Sequence, residues 1–162
     1  MSNYEHGFSL IELLIVVALV GIISAIAIPN LLASRQAANE SPAQSSLRTI
    51  HSAQSTYQTT HGNGAFSGTL AALRAQMLID DALGAGDPST KSGYTFAIVE
   101  EGGTGTGAVF GAYGFPTNDS GISQSGIRRF GITEAGVMRG DTTLTDLPNT
   151  RALINGMGAL GN

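Results

Sequence analysis

Polar and apolar positions divide this chain into three unlike stretches. From Leu13 to Leu32 only Gly21, Ser24, Pro29 and Asn30 are not plainly apolar. That run has the length a helix needs to cross a hydrocarbon core. From Ala33 to about His61 apolar residues recur instead at three- and four-residue steps, as Ala43, Leu47, Ile50, Ala53 or Gln54, and Tyr57. This spacing predicts an amphipathic continuation of the same helix. Pro29 and Pro42 lie within it; each removes a backbone hydrogen bond and crowds the preceding turn, so a bent or locally melted helix is expected. Gly62-Asn63-Gly64 then supplies residues that accept positive φ and end the helix.

The third stretch changes period. Leu70, Leu73, Met77, Leu78 and Leu83, between Ser67 as an N-cap and Gly84 as a stop, predict one or two short helical turns in a connector. Strand signals follow at Gly93–Glu100, Val109–Phe115 and Arg128–Thr133, with a fourth at Gly136–Arg139 after the turn Glu134-Ala135-Gly136. Their short spacing predicts an antiparallel meander, one face of which covers the stripe of Leu47, Ile50 and Tyr57. The expected fold is α+β: a long N-terminal helix, membrane-spanning in its first half and amphipathic in its second, packed on a small antiparallel sheet. Its parts are a leader over 1–7, an apolar helix over 8–32 and a head over 33–162. The head comprises helix 33–61, connector 62–92, sheet 93–140 and a tail 141–162 with weak signals and expected mobility.

Length and charge narrow the function classes. About 130 residues remain beyond the apolar segment, enough for one small domain. A net charge of −4, with 12% charged residues and no basic stripe, gives no field for direct nucleic-acid binding. The chain has no cysteine, which removes disulfides, thiol chemistry and cysteine zinc sites. Its 22 glycines, concentrated after position 84, predict a loop-rich second half.

A secretory signal peptide would have a basic front, a short apolar region and a small-residue cleavage site behind it. Here the front, Met1 to His6, has no Lys or Arg, glycine precedes the apolar run, and no such site follows. Glu12 lies just inside that run, where an ionised carboxylate costs about 2.5 to 3.5 kcal/mol on insertion scales. Two readings of it stand. Ser9-x-x-Glu12 matches the capping box that satisfies free amides at a helix start; alternatively the acid has a partner outside its own segment.

Gly7-Phe8-Ser9-Leu10-Ile11-Glu12, followed by an apolar helix with Gly21 and then Ile28-Pro29-Asn30, resembles the N-terminal signature of the type IV pilin family, which includes the pseudopilins of type II secretion. The resemblance is specific over residues 7 to about 35. Beyond Ala33 it extends to cysteine-free bacterial pilins through ANES (38–41), SLRTI (46–50), KSGYTF (91–96) and GVMRGD (136–141). It implies that a prepilin peptidase cuts between Gly7 and Phe8 and N-methylates Phe8. It also implies that Glu12 meets the α-amine of Phe8 in a neighbouring subunit, and that the helix, with Gly21 and Pro29 as its compliant turn, packs in a filament core. The leader departs from the family pattern, which usually carries Lys or Arg; either a start upstream of Met1 or an orientation that depends on the processing machinery would account for that.

Other motifs lead to bland readings. Gly102-Gly103-Thr104-Gly105-Thr106-Gly107 lacks both G-x-G-x-x-G spacing and a Walker lysine, and reads as a flexible hairpin loop. His51 and His61 are ten apart, without the i, i+4 pairing of a metal site, and read as solvated. No metal or cofactor is expected. Asp141 and Asp146 come nearest to qualifying, because pseudopilin heads similar to this one bind calcium in a C-terminal loop, but they lack EF-hand spacing. The sequons at Asn39 and Asn118 carry no weight in a bacterial chain. No nucleophile, base and acid set supports an enzyme.

The expected function is a structural subunit of a type IV pilus filament serving adhesion, motility or uptake. The expected partners are further copies of the chain, the prepilin peptidase, and the assembly machinery of the inner membrane. Such a subunit is first a single-pass inner-membrane precursor and then extracellular. The alternatives are a pseudopilin, confined to the periplasm, and a monomeric membrane-anchored binding protein.

Overall fold

The computed structural model describes residues 7–143 and 146–160. Met1 to His6, most of the expected leader, lie outside the described residues. The chain divides into two compact units, one ending at Ser34 and the other beginning at Arg35.

Helix α1 is assigned over Leu10–Thr60 and contributes to both units. The expected melting at Pro29 and Pro42 is absent: residues around both stay helical. Next to the carbonyl of Ala25, which Pro29 cannot reach with an N–H, the Asn30 side chain donates to the carbonyl of Ile26 at 3.1 Å. Helix α1 ends where glycine and asparagine permit a reversal, with Asn63 at φ 48° and Gly64 at φ 91°.

In the second unit, α1 buries Glu40, Ala43, Ser46, Leu47, Ile50, Ala53 and Gln54. The stripe is therefore as expected, with two polar additions. Among the described residues six strands pair in chain order as an antiparallel meander: β1 (Ser89–Lys91), β2 (Tyr94–Glu100), β3 (Phe110–Pro116), β4 (Arg129–Thr133), β5 (Arg139–Asp141) and β6 (Gly158–Ala159). The strand period of two sorts side chains by face. Tyr94, Phe96, Phe110, Ala112, Phe130 and Ile132 join Leu47 and Ile50 of α1 in the main core.

The opposite face differs from the sequence expectation. Ala97, Tyr113, Val99 and Phe115 form a second cluster with Ile154 and Met157. Ile154 belongs to a short helix, α3 (Arg151–Gly156), later in the chain. The tail thus contributes α3 (Arg151–Gly156), capped by Thr150, and strand β6. The sheet spans 89–159 rather than 93–140. Gly111 and Gly131 make room for this cover: a Cβ on either would lie 2.8 Å from Ile154 atoms.

The connector also differs in detail. Its helix, α2 (Leu70–Ala75), is capped by Thr69, whose hydroxyl accepts from the Ala72 amide at 3.2 Å. Ser67, the expected cap, is buried instead. Its backbone N–H and carbonyl exchange 2.8 Å hydrogen bonds with the Gln54 amide, so both polar groups are satisfied inside the core.

Candidate processing and assembly site

The first unit presents its apolar residues outward. Phe8 is 82% exposed and Leu31 70%, and the large apolar residues between them are at least half exposed or nearly so. The helix is long and apolar enough to cross a membrane, and its most apolar window has no buried residue. So much uncovered apolar surface is unstable in water and calls for lipid or other chains as its surroundings.

Gly7 and Phe8 precede the helix, and Glu12 lies in its first turn, where the positive end of the backbone dipole favours an acid. The first helical hydrogen bond runs from the Leu13 amide to the Ser9 carbonyl at 3.2 Å. Among the described residues neither the Ser9 hydroxyl nor the Glu12 carboxylate makes the reciprocal bonds of a capping box. Glu12 stands exposed on an otherwise apolar surface. A Cβ added at Gly7 or at Gly21 would meet nothing within 4 Å. The folded chain therefore sets no steric demand for glycine at either position, unlike Gly111 and Gly131.

The second unit holds charges that sequence reasoning missed. Glu40 is 7% exposed, and its carboxylate accepts from the backbone N–H groups of Ile127 and Arg128 at 3.1 and 3.2 Å. It also accepts from the Arg128 guanidinium at 2.7 and 2.9 Å. One turn of α1 thus fixes the loop entering β4. Asn39 adds a 2.8 Å bond to the Ser125 carbonyl. The available signal was that ANES interrupts the apolar stripe with an acid at a stripe position. Arg151 of α3 pairs with Glu134. Burial, the largest single influence, raises the Glu134 pKa, but the Arg151 hydrogen bond, backbone hydrogen bonds and the Arg151 charge together outweigh it and hold the carboxyl below the usual range.

The remaining sequence candidates have other partners. Asp141 accepts from Arg129 at 2.6 and 3.0 Å and from the Thr143 amide at 3.0 Å, and the Arg129 hydrogen bond holds its pKa below the usual carboxylate range. A guanidinium therefore occupies the oxygens a cation would need, while Asp146 is exposed. No cluster of three or more metal-ligating side chains is found among the described residues. His51 lies beside Phe110 and the Glu134 carbonyl, whereas His61 stacks on Tyr57, so each has its own surroundings. The glycine-rich loop is tethered rather than free: the Gly105 amide donates to the Gly64 carbonyl at 2.8 Å, and Gln58 bonds both Gly64 and Gly105.

Residues 2–28 match the family model described as the prokaryotic N-terminal methylation motif. The chain is 39% identical over 93 residues to the type IV wide pilus major component PilA4 of Thermus thermophilus, covering 57% of this chain and 63% of that protein. It is 45% identical over 53 residues to the type IV major pilin protein PilA of Myxococcus xanthus, covering 33% of this chain and 24% of that protein. The chain thus spans less than two thirds of the relatives it matches. No solved structure gives a significant match.

Proposed function

We propose that the chain belongs to the type IV pilin family and is the structural subunit of a type IV pilus filament, a reading supported by the methylation motif over residues 2–28 and the similarity to two type IV pilins. The observation that carries the proposal is the exposed apolar helix whose one acid, Glu12, stands four residues after Phe8. In this reading a prepilin peptidase cuts between Gly7 and Phe8 and methylates the new amine. The helix first holds the precursor in the inner membrane, and the assembly machinery then moves it into a filament core of like helices. There the Glu12 carboxylate meets the α-amine of Phe8 of a neighbouring copy. Two groups that are costly to bury alone neutralise each other and set the axial register.

The unoccupied space around Gly7 supports this, because a glycine the fold does not need suits an external enzyme that must approach the backbone. Gly21 weakens helix propensity by about 1 kcal/mol, and Pro29 leaves a carbonyl without its helical donor. The helix between them is therefore the least costly place to extend under load. The role is structural, and no reaction is assigned to it.

Electron microscopy of sheared surface fibres, with mass spectrometry of the mature N-terminus, tests the proposal. Long fibres of this chain beginning at methylated Phe8 are expected. Fibres confined to the periplasm would make it a pseudopilin, and an uncut chain without fibres would make it a membrane anchor.

A further inference from the structure

Three methionines lie among the described residues, and the fold treats them unequally. Met138 is 2% exposed and Met157 3%, each packed in one of the two apolar clusters. Met77 is 92% exposed, more than any other large apolar side chain described, and belongs to neither cluster. It follows α2, whose end closes with two bonds: the Met77 amide donates to the Arg74 carbonyl at 2.8 Å and the Leu78 amide to the Leu73 carbonyl at 3.0 Å. This is the Schellman ending, in which the left-handed position usually goes to glycine. Met77 holds that position at φ 58°.

Folding of the head does not explain a methionine here. The apolar contact that accompanies a Schellman ending falls to Leu73 and Leu78, both packed in the main core, and the Met77 side chain adds nothing to it. Ala71, Arg74, Ala75 and Asp81 flank the side chain on an open surface. Arg74 and Asp81 bond each other at 2.7 Å, so an uncharged reagent meets a nearly neutral surround. What Met77 contributes there is its thioether. Thioethers react with peroxides wherever these reach the sulfur. The sulfur lone pair attacks one peroxide oxygen and the O–O bond breaks. The sulfur gains that oxygen and is oxidised, while hydrogen peroxide is reduced and leaves as water.

We propose that Met77 is a peroxide-reactive surface site of the head, oxidised to the sulfoxide and reduced again with no change to the fold. Oxidation turns the most exposed apolar side chain into a polar one and so makes the character of this surface depend on oxidants. The same step at Met138 or Met157 would put a polar sulfoxide inside an apolar cluster, at the cost of an unsatisfied buried group. Burial therefore confines the reaction to the one described methionine whose product the fold tolerates. Reduction consumes two thiols, which become a disulfide, and releases the oxygen as water; the thiols come from outside, since the chain has no cysteine.

The test treats the full chain in detergent micelles with excess hydrogen peroxide and follows oxygen uptake at each methionine by peptide mass spectrometry. Met77 is expected to react at least about tenfold faster than Met138 or Met157, because susceptibility follows exposure. The three rates should converge once the head is unfolded in guanidinium. Met77→Leu should remove the fast reaction and leave the two slow ones unchanged. The chain oxidised at Met77 alone should keep its Tm to within about 1 °C, since a fully exposed side chain has no packing to lose. Methionine sulfoxide reductases A and B with dithiothreitol should then restore the thioether. Equal rates in the folded chain, or a rate difference that survives unfolding, overturn the assignment of the site to the fold. A larger fall in Tm on oxidation of Met77, or a sulfoxide that the reductases leave in place, overturns the tolerated and reversible modification.

Discussion

The two units use apolar residues in opposite ways. In the unit beginning at Arg35, Leu47, Ile50, Phe96, Phe110 and Phe130 have no exposed surface, because helix and sheet each complete the other. In the unit ending at Ser34, equally apolar side chains from Phe8 to Leu31 lie open. The head carries its own partner in its sequence, whereas the N-terminal helix is complementary to surroundings the chain does not supply. Changes to the first unit should therefore alter processing and assembly while leaving folding intact, and changes to the second should do the reverse.

The largest expected effect is on processing. Gly7→Val should abolish cleavage although a side chain there meets nothing in the folded chain, and mass spectrometry of the N-terminus is the readout. An unchanged mature N-terminus would overturn the cleavage assignment.

Glu12→Val should come next. It should preserve or raise membrane retention while filaments are lost, and Glu12→Gln should be intermediate because it keeps an acceptor without the charge. The ratio of filament to membrane-pool protein, at equal expression and cleavage, measures this. Filaments at the unmodified level would return Glu12 to a local role.

In the head, Leu47→Ala should destabilise a soluble form beginning at Arg35 by about 2 to 5 kcal/mol, as expected for a fully buried leucine. Chemical denaturation measures it, and a change below about 0.5 kcal/mol would mean that the stripe is not the core. Glu40→Ala should cost about 1.5 to 3 kcal/mol in the same form. It strands two backbone amides, although Arg128 is 41% exposed and recovers some hydration.

The smallest effect is a pH dependence. Asp141 has a folded pKa below its unfolded value, chiefly through the Arg129 hydrogen bond. Its contribution to stability is present above the unfolded pKa and is lost as pH falls through the folded one. Glu134 and Asp80 shift in the same direction, while burial raises Asp87 and opposes them. Asp141→Asn should lower the Tm of the head near pH 7 and narrow its difference from the unmodified head as pH falls from about 5 to about 2. Parallel curves over that range would show that the Arg129 pair contributes nothing.

The chain's order of elements was legible because long periodic segments announce themselves. A run from Leu13 to Leu32 with almost no polar residue has few outcomes other than an exposed apolar helix seeking lipid or like helices. The steps Ala43, Leu47 and Ile50 mark one face of a helix, and the alternation in Tyr94 to Val99 marks a two-faced strand. The motif around Gly7, Phe8 and Glu12 was legible for a different reason, since it is addressed to partners outside the fold and owes nothing to tertiary packing. Tertiary structure decided what short or polar segments do. Ser89–Lys91 has no apolar pattern and becomes β1 only because β2 offers it a ladder. Arg151–Gly156 is too short to hold as an isolated helix. It forms because Gly111 and Gly131 leave space on the sheet for Ile154. Glu40 and Gln54 sit inside the protein because backbone groups distant in sequence, at Ile127, Arg128 and Ser67, arrive to satisfy them. Local sequence states a residue's preference, but whether a buried polar group is satisfied depends on what the completed fold brings within hydrogen-bond reach.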